Sequence, residues 1–103
     1  MKQSAAIHPE CRAKNFYEAI SAIQASAEAQ NFLEDLCTPA ELEAMMDRWR
    51  VVPLLKAGKP YQKIYEETGV SVTTIGRVAR CLSLGTGGYG VIYERLKQRD
   101  KRK

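Results

Sequence analysis

The residues best suited to chemistry lie between positions 62 and 80. Gln62 and Lys63 come first, and beyond Gly69 stand Thr73, Thr74, Gly76, Arg77 and Arg80. Ser and Thr hydroxyls bond phosphate oxygens or base edges, and a Thr methyl can touch the methyl of thymine. Arginine reads guanine through two hydrogen bonds or holds a phosphate. Gly76 lets a backbone come close to a ligand. No Asp or Glu lies between Thr68 and Gly90, so this stretch carries nothing that repels an anion. Gln62 and Lys63 open a short helical pattern, where backbone N–H groups and the helix dipole favour phosphate. The chemistry common to these residues is recognition of duplex DNA.

Other constellations give less. His8 and Cys11 sit three apart, but two ligands do not make a zinc site and no CxxC pair accompanies them. A single histidine removes most acid–base and nucleophilic arrangements. The sequence therefore predicts no enzyme, no metal and no cofactor. Glu34-Asp35 and Glu66-Glu67 point in different directions on a helix and read as solvated. Met45, Met46 and Trp49 have helical spacing and read as core, with methionine filling gaps between chains. Arg48 and Arg50 flank Trp49 and suit an effector cleft, an ion pair between subunits, or water. Gly85 to Gly90 lacks the preceding strand and following Lys-Ser/Thr of a nucleotide loop. It reads as a helix reversal that folds the last helix back on the core, anchored by Tyr89.

These residues need elements to hold them. A chain of 103 residues with 45% hydrophobic and 27% charged content predicts one soluble domain. No run approaches the roughly 18 apolar residues of a membrane span. The N-terminus has no export pattern. Cys11, Cys37 and Cys81 are too scattered for a disulfide scaffold, so a reducing cytoplasm is the expected home. The net charge of +4 is uneven. Residues 1–60 carry seven Lys/Arg against eight Asp/Glu, and residues 61–103 carry nine against four. The basic half is the one expected to meet a polyanion.

Periodicity predicts an all-α fold of about six helices. Residues 1–13 read as a loose arm, 14–100 as a single helical domain, and 101–103 as a solvated basic tail. Phe16, Ala19, Ile20, Ile23 and Ala27 share one helical face, and Phe32, Leu33 and Leu36 continue on a second short helix ending near Cys37. Thr38-Pro39-Ala40-Glu41 is a capping-box start. Leu42, Met45, Met46, Trp49 and Val52 line the helix that follows, with Pro53 kinking or breaking it near residues 49–53. Gly58 ends it. Residues 61–82 then form a helix-turn-helix. Gly69 supplies the left-handed turn, and Ser71 caps the second helix. Ile64 packs against Val70, Ile75 and Val78 or Ala79. Val72, Ile75, Ala79 and Leu82 make an inward stripe, which leaves Thr73, Thr74, Gly76, Arg77 and Arg80 outside. Tyr65 stands where many such motifs hold a small residue at the helix contact. A last helix spans about 88–99. An alternative for the basic face is a helical interaction module that docks an acidic protein.

The motifs Thr38-Pro39-Ala40-Glu41, Arg48-Trp49-Arg50, Gln62-Lys63 through Gly69, and Thr73-Thr74-Ile75-Gly76-Arg77 resemble the Trp repressor superfamily. Arg77 to Leu82 followed by Gly85-Thr86-Gly87-Gly88-Tyr89 resembles its YerC/YecD-like branch. The resemblance covers roughly residues 15–98. It implies a Trp-repressor-like intertwined homodimer, and a repressor of transcription that reads an operator of two-fold symmetry. Half-sites then lie about 34–36 Å apart. It implies DNA contacts at Gln62, Lys63, Ser71, Val72, Thr73, Thr74 and Gly76, and assigns effector-pocket positions to Thr38, Arg48 and Arg77. Two departures argue against tryptophan as the effector. Val78 stands where the repressor has a glycine lining the indole slot, and Cys81 replaces a serine. A valine in a slot made for a flat ring clashes, at a cost of roughly 1–3 kcal/mol. An unidentified small molecule, or none, is the expectation.

Overall fold

Pro9 opens the first helix, as a residue that cannot donate a backbone hydrogen bond and so suits a first turn. The computed structural model describes residues 9–102. Among these, seven helices and no strand are found: α1 (Pro9–Ser21), α2 (Ser26–Leu36), α3 (Pro39–Arg50), α4 (Val52–Lys56), α5 (Tyr61–Thr68), α6 (Val72–Leu84) and α7 (Gly88–Arg102). The all-α expectation holds. The loose arm expected over 1–13 is corrected in part, because 9–13 are helical, while residues 1–8 and with them His8 lie outside the described residues. The last helix likewise runs on through Asp100 and Lys101 to Arg102.

The chain forms two compact units, Met1–Pro39 and Ala40–Lys103. In the first, the helix expected to carry both Ile23 and Ala27 is interrupted. Ile23 N–H donates to the Ile20 carbonyl at 3.2 Å, a tightened last turn, and Ala25 is extended. The Glu28 carboxylate then reaches back to accept from Gln24 N–H at 2.9 Å. A first-turn acid thus satisfies a donor ahead of its own helix. The Phe16 and Tyr17 rings lie 5.5 Å apart.

In the second unit Pro53 divides one expected helix into α3 and α4. Proline has no N–H to continue the ladder, and it falls in the first turn of α4, where that loss is harmless. Val51, between the two helices, is fully buried. Gly58, at φ 81°, closes α4. Lys59 N–H reaches the Leu54 carbonyl at 3.2 Å and Gly58 N–H the Leu55 carbonyl at 3.0 Å, the paired bonds of a Schellman cap.

Six aliphatic side chains make the core: Val51, Val52, Ile64, Val70, Ile75 and Val78. Trp49, Leu54, Leu55, Leu82, Tyr89 and Tyr93 lie around them. The core thus sits where α4, α5 and α6 meet, and α7 lies on α4 and α6. The Trp49 and Tyr89 rings stack at 6.3 Å, which is how Tyr89 anchors the last helix. Met46 is 60% exposed within the single chain, which leaves it free for the packing between chains expected of it.

Candidate nucleic-acid interface

Local chemistry fixes the angle between α5 and α6. Gly69 takes φ 78°, a left-handed position that suits glycine. Its N–H closes α5 on the Tyr65 carbonyl at 2.8 Å. The Thr68 hydroxyl donates to the Ile64 carbonyl at 2.7 Å and accepts from Val70 N–H at 3.0 Å, so one side chain serves both sides of the turn. Arg50 adds a bond to the Thr68 carbonyl at 3.4 Å. None of the three roles expected for Arg50 included this helix end. Beneath the turn, Ile64 meets Val70, Ile75 and Val78, all buried, as the spacing predicted. Tyr65 points away and is 46% exposed, so its bulk does not disturb the contact.

Ser71 begins α6 by accepting from Thr74 N–H at 3.2 Å. Its hydroxyl donates to the Thr74 hydroxyl at 3.1 Å. Thr74 therefore keeps its own proton to donate outward. Gln62, Lys63, Thr73, Arg77 and Arg80 are exposed, and Thr74 and Gly76 are half-buried. Lys63, Arg77 and Arg80 form no ion pair among the described residues. Lys59 and Glu67, in contrast, pair at 2.8 Å across the ends of α5, so Glu67 is not simply solvated. This removes one negative charge beside the basic face.

One inward position is corrected. Val72, read from its spacing as part of the buried stripe, is 46% exposed. It is the first residue of α6, and a helical side chain leans over the turn before its own α-carbon. At a first position no such turn exists, so Val72 stands with the outward residues that the resemblance implied.

Of the proposed effector positions, Thr38 belongs to the first compact unit and Arg48 and Arg77 to the second. Arg48 is half-buried and Arg77 exposed. Arg77 and Cys81 line an open hollow of about 260 Å³ with Arg80, Leu84 and Gly85. Val78 is fully buried against the core, so its side chain fills its space. Sequence reasoning passed over Tyr61 and Ser83. They line a second hollow, of about 320 Å³, with Gly76, Ala79, Arg80 and Leu84. The available signal was Gly76, whose missing side chain asks what fills its place. Cys11, Cys37 and Cys81 are free thiols. Among the described residues no three side chains form a metal-binding group, and no helix is long and apolar enough to cross a membrane.

A buried helix crossing, a capped second helix and an uncovered basic face define a helix-turn-helix protein. The chain belongs to the Trp repressor protein family, whose sequence model matches residues 12–97. It is 37% identical over 82 residues to the uncharacterized protein YerC of Bacillus subtilis (strain 168), covering 80% of this chain and 79% of that protein. A TrpR-like protein from Eubacterium eligens ATCC 27750 superposes with a TM-score of 0.76 at 37% identity, over 82% of this chain and 87% of that one. A Trp repressor candidate from Staphylococcus aureus superposes at 0.80 with 30% identity, over 94% and 95% of the two chains. Proteins of this family are DNA-binding regulators, not enzymes.

Proposed function

We propose that this protein is a sequence-specific transcriptional repressor of the cytoplasm that binds a two-fold-symmetric operator as a homodimer. The observation that carries the reading is the outer face of α6. Thr73, Arg77 and Arg80 are exposed there, the two arginines lack acidic partners among the described residues, and a buried crossing packs the opposite side of the helix on α5. Such a helix suits the major groove. The dimer is supported by apolar side chains left uncovered in the second unit. Val91 is 52% exposed, Ile92 45% and Met46 60%. A second copy of the chain would cover such apolar surface.

Genome-fragment selection tests the proposal. Purified protein is mixed with sheared DNA of its source at about 0.15 M salt, near the ionic strength of the cell. Enrichment of an inverted repeat is the expected outcome. Retention of no duplex, with salt-resistant capture of an acidic protein, would overturn it.

With the operator in hand, Thr74→Ala and Lys63→Ala should separate. The first is expected to lower specific affinity by about 1–3 kcal/mol and to relax base preference. The second should weaken all duplexes and reduce the salt slope by about one. Identical effects of both on discrimination and on salt dependence would contradict these roles. Added L-tryptophan is expected to leave operator affinity unchanged, because Val78 stands where the resemblance implies a glycine beside the indole. A tenfold tightening in its presence would show that reading to be wrong.

A further inference from the structure

The bare α-carbon of Gly76 faces the ring of Tyr61. A Cβ built there would lie 3.8 Å from Tyr61 Cε2, an ordinary van der Waals distance. The ring therefore stands at the edge of α6, and its phenol belongs to the same surface as Arg80 and Ser83. The space between is the hollow of about 320 Å³, with Ala79 and Leu84 as its apolar wall. Positions 76, 80 and 83 recur at four and three, so they share one side of the helix. The polar groups at the rim are a phenol, a guanidinium and an alcohol. All three can donate, and no carboxylate joins them. None of the three side chains is engaged with another described residue through a hydrogen bond or an ion pair.

We propose that this hollow seats one phosphodiester of the DNA backbone, held by the Tyr61 hydroxyl, the Arg80 guanidinium and the Ser83 hydroxyl. The inference rests on the DNA-binding reading above and deepens it. A recognition helix reads base edges with its N-terminal residues. The hollow lies along the later turns of α6 and at the first residue of α5, away from the N-terminal end of α6. A rim of a guanidinium and two hydroxyls, with no carboxylate and a shallow apolar wall, matches an anionic phosphate and its sugar. Tyr61 thereby gains a function absent from any of the polar positions considered first.

The test uses the selected operator and a random duplex, with wild type, Tyr61→Phe, Ser83→Ala and Arg80→Ala compared over a salt series. Tyr61→Phe keeps the ring on Gly76, so thermal unfolding should be unchanged. Tyr61→Phe and Ser83→Ala are each expected to weaken both duplexes about tenfold, as for a lost bond to a charged group. Both remove neutral donors, so neither should change the salt slope. Arg80→Ala should weaken binding and reduce the slope by about 0.9. Ethylation of one phosphate per half-site should impair wild-type binding and cease to matter once Tyr61, Arg80 and Ser83 are all replaced. Wild-type affinity in both hydroxyl variants, or an unchanged ethylation pattern in the triple variant, would overturn the phosphate seat and leave DNA reading intact. Loss of base discrimination alone would place the contact on a base and equally overturn it. Failure of the wild type to retain any duplex would overturn the proposed function, and this seat with it.

Discussion

Replacing Ile75 by alanine is expected to cost about 2–5 kcal/mol, the range for truncating a fully buried isoleucine. Ile75 has no exposed surface and touches the core where α5 crosses α6. Few neighbours can collapse into the space left behind, since six side chains are buried among the described residues. Small domains hold roughly 5–15 kcal/mol in total, so this one change removes a large share. At about 4–8 °C per kcal/mol, the unfolding midpoint should fall by at least about 8 °C. Val72→Ala on the same helix is the comparison. Its side chain is 46% exposed, and the expected change lies within about 0.5 kcal/mol. Equal shifts in calorimetry for the two variants would show that the crossing does not rest on Ile75.

The second large effect belongs to Gly85, and its backbone angles are not the reason. At φ −81° it occupies ground open to any residue. The obstacle is contact. A Cβ there would lie 2.5 Å from the Cys81 carbonyl oxygen and 3.2 Å from two further backbone atoms of Cys81. Backbone must therefore move at the end of α6, and Gly85→Ala should cost about 1–3 kcal/mol. Three residues on, the sign reverses. Gly88 is the first residue of α7 and a Cβ there meets nothing within 4 Å. Gly88→Ala reduces the freedom of the unfolded chain and should be neutral or stabilising by up to about 1 kcal/mol. Urea titrations of the two variants would check this, and a common direction would refute it.

The parts of this molecule legible in sequence are those settled by neighbours in the chain. Gly69, Thr68 and Ser71 act within four residues of themselves, and the aliphatic spacing from Ile64 to Val78 admits one helix crossing. What escaped was set by ends and by distance. Val72 obeys the helical repeat, but a repeat does not say which turn is first. Residues 22–25 contain no glycine or proline, so nothing in their types announced the break that Glu28 stabilises. Arg50 reaches a carbonyl 18 positions away. Tyr61 looked like the opening residue of a helix because its partner, Gly76, contributes no side chain to a pattern. The outward set on α6 was legible as a face, whereas the hollow beside it needed two helices in place.

The stacking of Trp49 on Tyr89 gives the protein an optical label of its own. Trp49 is the sole tryptophan in the sequence, and its ring lies at the margin of the core in the second compact unit. Emission excited near the red edge of protein absorbance therefore comes from that unit alone. The first unit is represented by Phe16, Tyr17 and Phe32, which are dark under those conditions. A melting curve followed at tryptophan emission and another at helical ellipticity then watch different populations of residues. Their coincidence or separation measures how far the two units share a single cooperative transition, without dye or engineered probe.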